Sequence, residues 1–173
     1  MTNEEILSKI RNIPDFPKKG ILFKDITTAL KDKDTFKAII DNLYDLVKDI
    51  DIDYIVAIES RGYLLGSPLA YKLNKGLVIV RKPGKLPAKV ERIEYGLEYG
   101  SDALEIHKDA IKEGQKVLIV DDLLATGGTV EAAIKLIEKL GGEVVGLAFL
   151  IELDELKGRE KLKGYKVFNL LNY

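Results

Sequence analysis

The sequence predicts an α/β fold: a twisted parallel sheet with helices on both faces. Three observations predict it. Short apolar runs rich in branched residues, of the kind buried in parallel sheets, occupy residues 54–58, 77–80, 117–120 and 144–151. Stretches with apolar residues at helical spacing lie between several of them. Glycine and acidic residues cluster just after two of the runs, in ESRG (59–62) and DDLLATGG (121–128). Strands that alternate with helices pair in parallel and are covered on both faces.

The elements follow in order. Thr2 and Glu5 have the spacing of a capping box and predict a first helix over residues 3–11. Pro14, Pro17 and Gly20 then make a loop with rigid points. Residues 21–30 are apolar but interrupted by Lys24 and Asp25, and fit neither period. Phe36, Ile39, Ile40, Leu43, Leu46 and Val47 recur at helical spacing over 35–48. After the strand at 54–58 a helical pattern runs to about Leu73, and a strand follows at 77–80. Residues 81–100 are polar and hold Pro83, Gly84, Pro87, Gly96 and Gly100; they read as a long, mobile excursion. The strand at 117–120 leads to a helix over 129–140, stopped by Gly141 and Gly142. A strand at 144–151, a short helix at 153–162 and a last strand at 165–170 complete the chain. No linker divides it, so residues 1–173 read as one domain.

Composition narrows the function. With 173 residues the chain can bury a substantial core. The 27 basic and 28 acidic residues nearly cancel, so no global field argues for nucleic acid or a membrane surface. The absence of cysteine excludes disulfides and thiolate metal sites, and a single histidine, His107, excludes paired-histidine zinc motifs. His107 reads as structural rather than catalytic. No stretch has the length and apolarity of a signal peptide core or a membrane span, so the expected location is the cytoplasm.

One segment concentrates the chemistry, VLIVDDLLATGGT at 117–129. In open parallel sheets ligands bind at the carboxyl ends of the strands. Asp121 and Asp122 stand there, and two adjacent carboxylates can accept hydrogen bonds from a ribose diol. Ala125, Thr126, Gly127, Gly128 and Thr129 follow. Small residues let backbone N–H groups converge on one anion, the threonines add hydroxyls, and the next helix presents its positive end. A plain strand end and turn is the competing reading of any single part. An NTPase-type acidic strand end would need a GxxxxGK[ST] loop, which the chain lacks.

VLIVDDLLATGGT resembles the signature for phosphoribosyl diphosphate (PRPP) of the type I phosphoribosyltransferases. IPDFPKKGILFKDIT (13–27), ESRGYLLG (59–66), RKPGKLP (81–87), LEYGSDALEIHKDAI (97–111) and LKGREKL (156–162) narrow the resemblance to the adenine phosphoribosyltransferases. That likeness covers nearly the whole chain. It implies a type I phosphoribosyltransferase fold and conversion of adenine and PRPP to AMP and diphosphate, a step of purine salvage. It also implies a homodimer, with Mg²⁺ held mainly by substrate oxygens and water rather than directly by protein. By resemblance, Asp121 and Asp122 hold the ribose hydroxyls and residues 125–129 the 5′-phosphate. Arg61, Lys82 and Lys85 face the diphosphate, with Arg61 also assisting catalysis. The Glu59–Ser60 bond matches the family's cis peptide. Residues 1–30 would recognise the base: Leu22 and Lys24 through backbone groups, Phe23 and Leu123 by sandwiching the ring. Many adenine enzymes have arginine at the position of Lys24, a mild change if the contact is through backbone.

The resemblance places the catalytic glutamate at Glu98, beside Tyr99, in a lid formed by residues 81–100. A carboxyl desolvated by closure is a sensible proton partner for the purine. Glu94–Tyr95 is a possible register rival; LEYG fits the family segment better than IEYG. LKGREKL reads as a solvated helix face without chemistry. Two alternatives stand beside this reading: a transferase for an oxopurine, and a PRPP-sensing regulator that kept the fold. The second usually carries an added DNA-binding domain, for which the chain has no spare length.

Overall fold

The computed structural model of the protein describes residues 1–97 and 100–173. Two predicted residues, Glu98 and Tyr99, lie outside the described residues. The chain forms two compact units, Met1–Asn42 and Leu43–Tyr173.

The first unit opens with α1, Asn3–Ser8. The capping box is present: Thr2 Oγ1 accepts from the Glu5 N–H at 3.2 Å, and Glu5 Oε2 accepts from the Thr2 N–H at 2.6 Å. The helix stops at Ser8, not at the predicted Arg11. Arg11 instead opens β1, Arg11–Pro14, which pairs antiparallel with β2, Leu22–Asp25. The pairing places Arg11 opposite Asp25, and the two side chains meet at 3.0 Å (Nε) and 2.5 Å (Nη2). Asp25 also accepts from the N–H and hydroxyl of Thr27, at the start of α2, Thr27–Lys31. The Thr27 hydroxyl, then Arg11, hold the Asp25 carboxyl down at about 2. Residues 21–30 therefore contain a strand and a helix hinged on one aspartate, which explains why neither period fits them. Asp32 caps α3, Lys33–Val47, by accepting from the N–H groups of Asp34 and Thr35.

The second unit is built on a five-stranded sheet. Its strands are β3, Tyr54–Ile58; β4, Gly76–Val80; β7, Lys116–Leu124; β8, Glu143–Glu152; and β9, Val167–Asn172. They lie in the order β4-β3-β7-β8-β9, and every neighbouring pair is parallel. Two helices cross between strands: α4, Arg61–Leu73, and α5, Gly128–Lys139. Ile55, Val56, Ala57 and Ile58 of β3, and residues 117–120 of β7, are fully buried. That double-sided burial explains why both strands read as continuous apolar runs rather than alternating ones.

From β3 the chain winds outward to β4; from β7 it winds the opposite way to β8 and β9. The reversal leaves a crevice at the carboxyl ends of β3 and β7. Two glycines bring α4 close to the sheet there. A Cβ on Gly62 would lie 2.9 Å from the Val120 carbonyl oxygen, and one on Gly66 would lie 2.7 Å from Ala57 Cβ.

Residues 81–100 differ from the predicted loop. Val90–Leu97 is a strand, β5, paired antiparallel with β6, Gly100–His107. Ile93 and Tyr95 of β5 pack on the core, and Leu104 and Ile106 of β6 are buried in it. Ile93, Tyr95 and Leu97 alternate with polar or small residues, a period-two signal obscured by the glycines and charges around it. The predicted helix over 153–162 is two short 3₁₀ turns, Asp154–Leu156 and Gly158–Leu162.

Gly66→Ala tests the close approach of α4. Overpacking of this kind costs about 1–3 kcal/mol, more than the helix-propensity gain of alanine. Urea denaturation should show a net loss of stability; an unchanged midpoint would show that the helix shifts freely.

Candidate active site

The crevice has a volume of about 690 Å³ and is lined by the ends of β3 and β7, the first turns of α4 and α5, and residues after β4. The structure brings Arg61, Lys82, Lys85, Asp121, Asp122, Leu123 and residues 125–129 together around it. Leu22, Phe23 and Lys24 lie on β2 in the first unit. There Phe23 meets Phe16 edge to face, with ring centroids 5.2 Å apart, and Lys24 Nζ donates to Asn12 Oδ1 at 2.9 Å.

The acidic pair stands within β7, not after it. The strand runs on to Leu124, with Leu123 and Leu124 paired to Ile151 and Glu152 of β8. Successive residues of a strand usually alternate faces, but both carboxylates line the crevice here. Asp122 is buried, and its Oδ2 accepts from Arg61 Nε at 2.6 Å. Asp121 Oδ1 accepts the N–H of Asp122 at 2.8 Å. Burial pushes the Asp121 carboxyl well above its ordinary range, and the neighbouring Asp122 adds to the shift.

The turn after β7 is short. Gly127 has φ +90° and caps α5. A Cβ there would lie 2.8 Å from the Gly158 carbonyl oxygen, so only glycine fits on both counts. The first turn of α5 leaves its leading N–H groups without helical acceptors, and these line the crevice with Thr126 and Thr129. An anion is the natural partner of such a turn.

The cations opposite are held by carboxylates. Arg81 Nε donates to Glu59 Oε1 at 2.8 Å, and the Lys82 N–H donates to Glu59 Oε2 at 3.3 Å. The Glu59–Ser60 peptide is cis, as the resemblance implied. Lys82 Nζ donates to Asp102 on β6. Tyr95 faces Asp102 across the ribbon; its hydroxyl lies 3.3 Å from Asp102 Oδ2 and 3.4 Å from Thr129 Oγ1. Tyr63 lines the same wall and donates to the Val80 carbonyl at 2.8 Å. Burial, reinforced by Glu59, raises its phenol to about 12, so it stays protonated.

Sequence reasoning did not single out Tyr63, Arg81 or Asp102 for this site, and named Tyr95 only with Glu94 as a register rival. Arg81 adjoins Lys82 in RKPGKLP and could have been read with it. Asp102 reaches Lys82 because Arg81 bridges antiparallel to Glu105 of β6, a pairing that local spacing does not announce. Glu94, the register rival of Glu98, is exposed and pairs with Arg92 at 3.1 Å. His107 Nε2 accepts the Ala88 N–H at 3.4 Å, a structural contact.

The family model of the phosphoribosyl transferase domain matches residues 27–172. The chain is 64% identical over 167 residues to the adenine phosphoribosyltransferase of Halothermothrix orenii, covering 96% of this chain and 98% of that protein. It is 57% identical to that of Acidobacterium capsulatum over 98% of this chain and 94% of the relative. The crystal structure of adenine phosphoribosyltransferase from Thermoanaerobacter pseudethanolicus superposes with a TM-score of 0.97 at 57% identity, over 99% of this chain and 100% of that one. The Saccharomyces cerevisiae enzyme, complexed with an imino-altritol bisphosphate and adenine, gives 0.91 at 44% identity over 97% of each chain.

Asp121 also makes stability depend on pH. Its folded carboxyl holds a proton more tightly than its unfolded one, so stability falls as pH rises from the ordinary carboxylate value toward the raised one. Asp121→Asn removes that slope. Urea denaturation across a pH series should show the variant gaining on the parent from about pH 4 upward. A constant difference between them at all pH values would contradict the proton-retaining carboxyl.

Proposed function

The chain belongs to the phosphoribosyltransferase family and, within it, to the adenine phosphoribosyltransferases; on that premise we propose how its residues divide the work. The enzyme transfers a 5-phosphoribosyl group from PRPP to adenine, giving AMP and diphosphate, a reaction of purine salvage. The observation that carries the site assignment is the convergence on one crevice of the acidic pair, the glycine turn at the start of α5, and Arg61 with Lys82 and Lys85.

In this reading the turn at 125–129 binds the 5′-phosphate through its N–H groups and threonine hydroxyls. Asp121 and Asp122 take the ribose hydroxyls. Asp122 is already oriented by Arg61, so a bound ribose adds to an ordered acid instead of ordering it. Transfer at the anomeric carbon passes through an oxocarbenium-like state, and charge builds on the departing diphosphate. Arg61, Lys82 and Lys85 stabilise that charge. The carboxylate now beside Lys82, Asp102, gives way to the stronger anion.

Asp121 and Asp122 are carboxylates of the crevice lining, and among the described residues no cluster of three or more acidic or histidine side chains could hold a metal by itself. That donor set suits Mg²⁺, which would take most of its ligands from substrate and water. When bound, the ion supplies charge neutralisation on the diphosphate.

Base recognition is assigned to Leu22 and Lys24 through backbone groups, and to Phe23 and Leu123, by their match to the family segments. Glu98 manages the proton at the imidazole edge of the purine. Segment 81–100 acts as the lid that keeps water from the cationic centre. The enzyme acts as a homodimer. Support comes from α4, where Leu64 and Tyr71 are 44% and 90% exposed on one face with Pro68 between them, an apolar stripe suited to a second copy. No helix among the described residues is long and apolar enough to cross a membrane. The proposed location is the cytoplasm.

Two measurements test this reading. Steady-state assays with PRPP and a panel of adenine, hypoxanthine, guanine and xanthine should show strong preference for adenine; preference for an oxopurine would sink the base assignment. Glu98→Gln should lower turnover by about 10²–10⁴-fold, the usual worth of general acid–base catalysis, while AMP affinity changes little. Unchanged turnover would remove Glu98 from the mechanism.

A further inference from the structure

We propose that Arg159 is a positioning residue for the 5′-phosphate: with Glu152 it fixes the 3₁₀ turn Gly158–Leu162 as the floor beneath the phosphate turn at 125–129. The inference rests on the reading of that turn as the phosphate site.

A series of contacts closes a ring. Leu124, the last residue of β7, is paired with Glu152 of β8, and the Leu153 N–H donates to the Leu124 carbonyl at 2.9 Å. Glu152 is 7% exposed, and Arg159 Nε donates to both its oxygens, at 2.7 and 2.8 Å. Arg159 Nη2 also donates to Asn169 Oδ1 on β9 at 2.9 Å. Gly158, beside the arginine, then returns to the turn. A Cβ on Gly158 would lie 2.5 Å from the Ala125 carbonyl oxygen and 2.8 Å from Leu124 Cδ1. From the other side, a Cβ on Gly127 would lie 2.8 Å from the Gly158 carbonyl oxygen.

The two backbones are therefore in contact without side chains between them, and the height of one sets the height of the other. Leu162, buried in the same core cluster as Leu124 and Val130, anchors the far end of the 3₁₀ turn. The N–H groups of the turn cannot adjust their reach as a side chain can, so they work only if the backbone beneath them is fixed. Arg159 supplies that fixity. Its guanidinium meets two elements, β8 and β9, through fixed donors that a lysine cannot reproduce.

The role predicts a selective defect. It concerns the phosphate and not the rest of the nucleotide, so AMP and adenosine separate it from general damage. Calorimetric titration of both ligands would be run on the parent, Arg159→Ala, Arg159→Lys, Glu152→Gln and Gly158→Ala, with thermal melts establishing which variants are folded. AMP affinity should fall about tenfold or more in Arg159→Ala, Glu152→Gln and Gly158→Ala, as small misplacements of binding groups do, with partial recovery in Arg159→Lys. Adenosine affinity should stay within about twofold of the parent, because its contacts do not use the turn. Should Arg159→Ala not fold, Glu152→Gln and Gly158→Ala carry the comparison. Retained AMP affinity in the folded variants, or equal losses for AMP and adenosine, would overturn the inference. A parent that binds AMP no more tightly than adenosine would overturn the phosphate reading itself, and with it this inference; the two failures are thus told apart by the parent alone.

Discussion

The site depends on placing two carboxylates side by side inside a buried strand. Like charges at adjacent positions in low dielectric repel, and each loses hydration. The structure answers the two costs differently. Asp122 is buried and meets Arg61 at 2.6 Å, so its charge has a partner. Asp121 accepts the N–H of the next residue and is pushed toward the protonated state. Arg61 can reach Asp122 only because α4 starts close to the end of β7, and that approach depends on the missing side chain of Gly62. A methyl group there would strike the Val120 carbonyl and crowd Asp121 Oδ1. One glycine thus governs the geometry of the pair and its counter-ion.

The same economy of charge extends across the crevice. Arg61 rests on Asp122, Arg81 on Glu59, and Lys82 on Asp102. A cleft lined with unpaired cations would repel itself when empty. With these three cations beside acids, their charges are oriented before a polyanion arrives, and the polyanion competes for donors already aimed. The Lys82–Asp102 pair is partly exposed, so it is weak enough to exchange. Because the Tyr95 hydroxyl touches both Asp102 and Thr129, it links the ribbon β5–β6 to the first turn of α5.

What the sequence made legible follows from the range of the forces involved. Buried parallel strands are apolar throughout, so β3, β7 and β8 stood out, and the local order strand–acids–glycines–helix marked the crevice. The ribbon did not, because Val90–Leu97 carries charges and a glycine that mask its alternation. LKGREKL was read as a solvated face because five of its seven residues are polar or glycine. Its role comes from partners at Glu152 and Asn169, positions set by the sheet order and not by local spacing. The Lys82–Asp102 pair is hidden for the same reason: its members are 20 residues apart and meet because Arg81 bridges to Glu105 on β6. Local patterns are written in the sequence directly, whereas pairings across elements appear only once the topology is fixed.

The division between shared and specific chemistry has a structural counterpart. The model of the wider family begins at residue 27, just after β2, and takes in the whole crevice. Leu22, Phe23 and Lys24 precede it, in the first unit, on a two-stranded ribbon hinged at Asp25. Leu22 is 51% exposed and Phe23 packs against another aromatic ring instead of a deep core. A segment with so little burial of its own can vary in sequence at small cost to stability, whereas the crevice is fixed by glycines, buried acids and strand register. Reading an amine against a carbonyl on a purine needs only a change of backbone donor or acceptor. The proposed base-reading residues of β2 lie on the lightly packed ribbon, whereas the proposed ribose-phosphate site lies where glycine contacts and strand register fix the backbone.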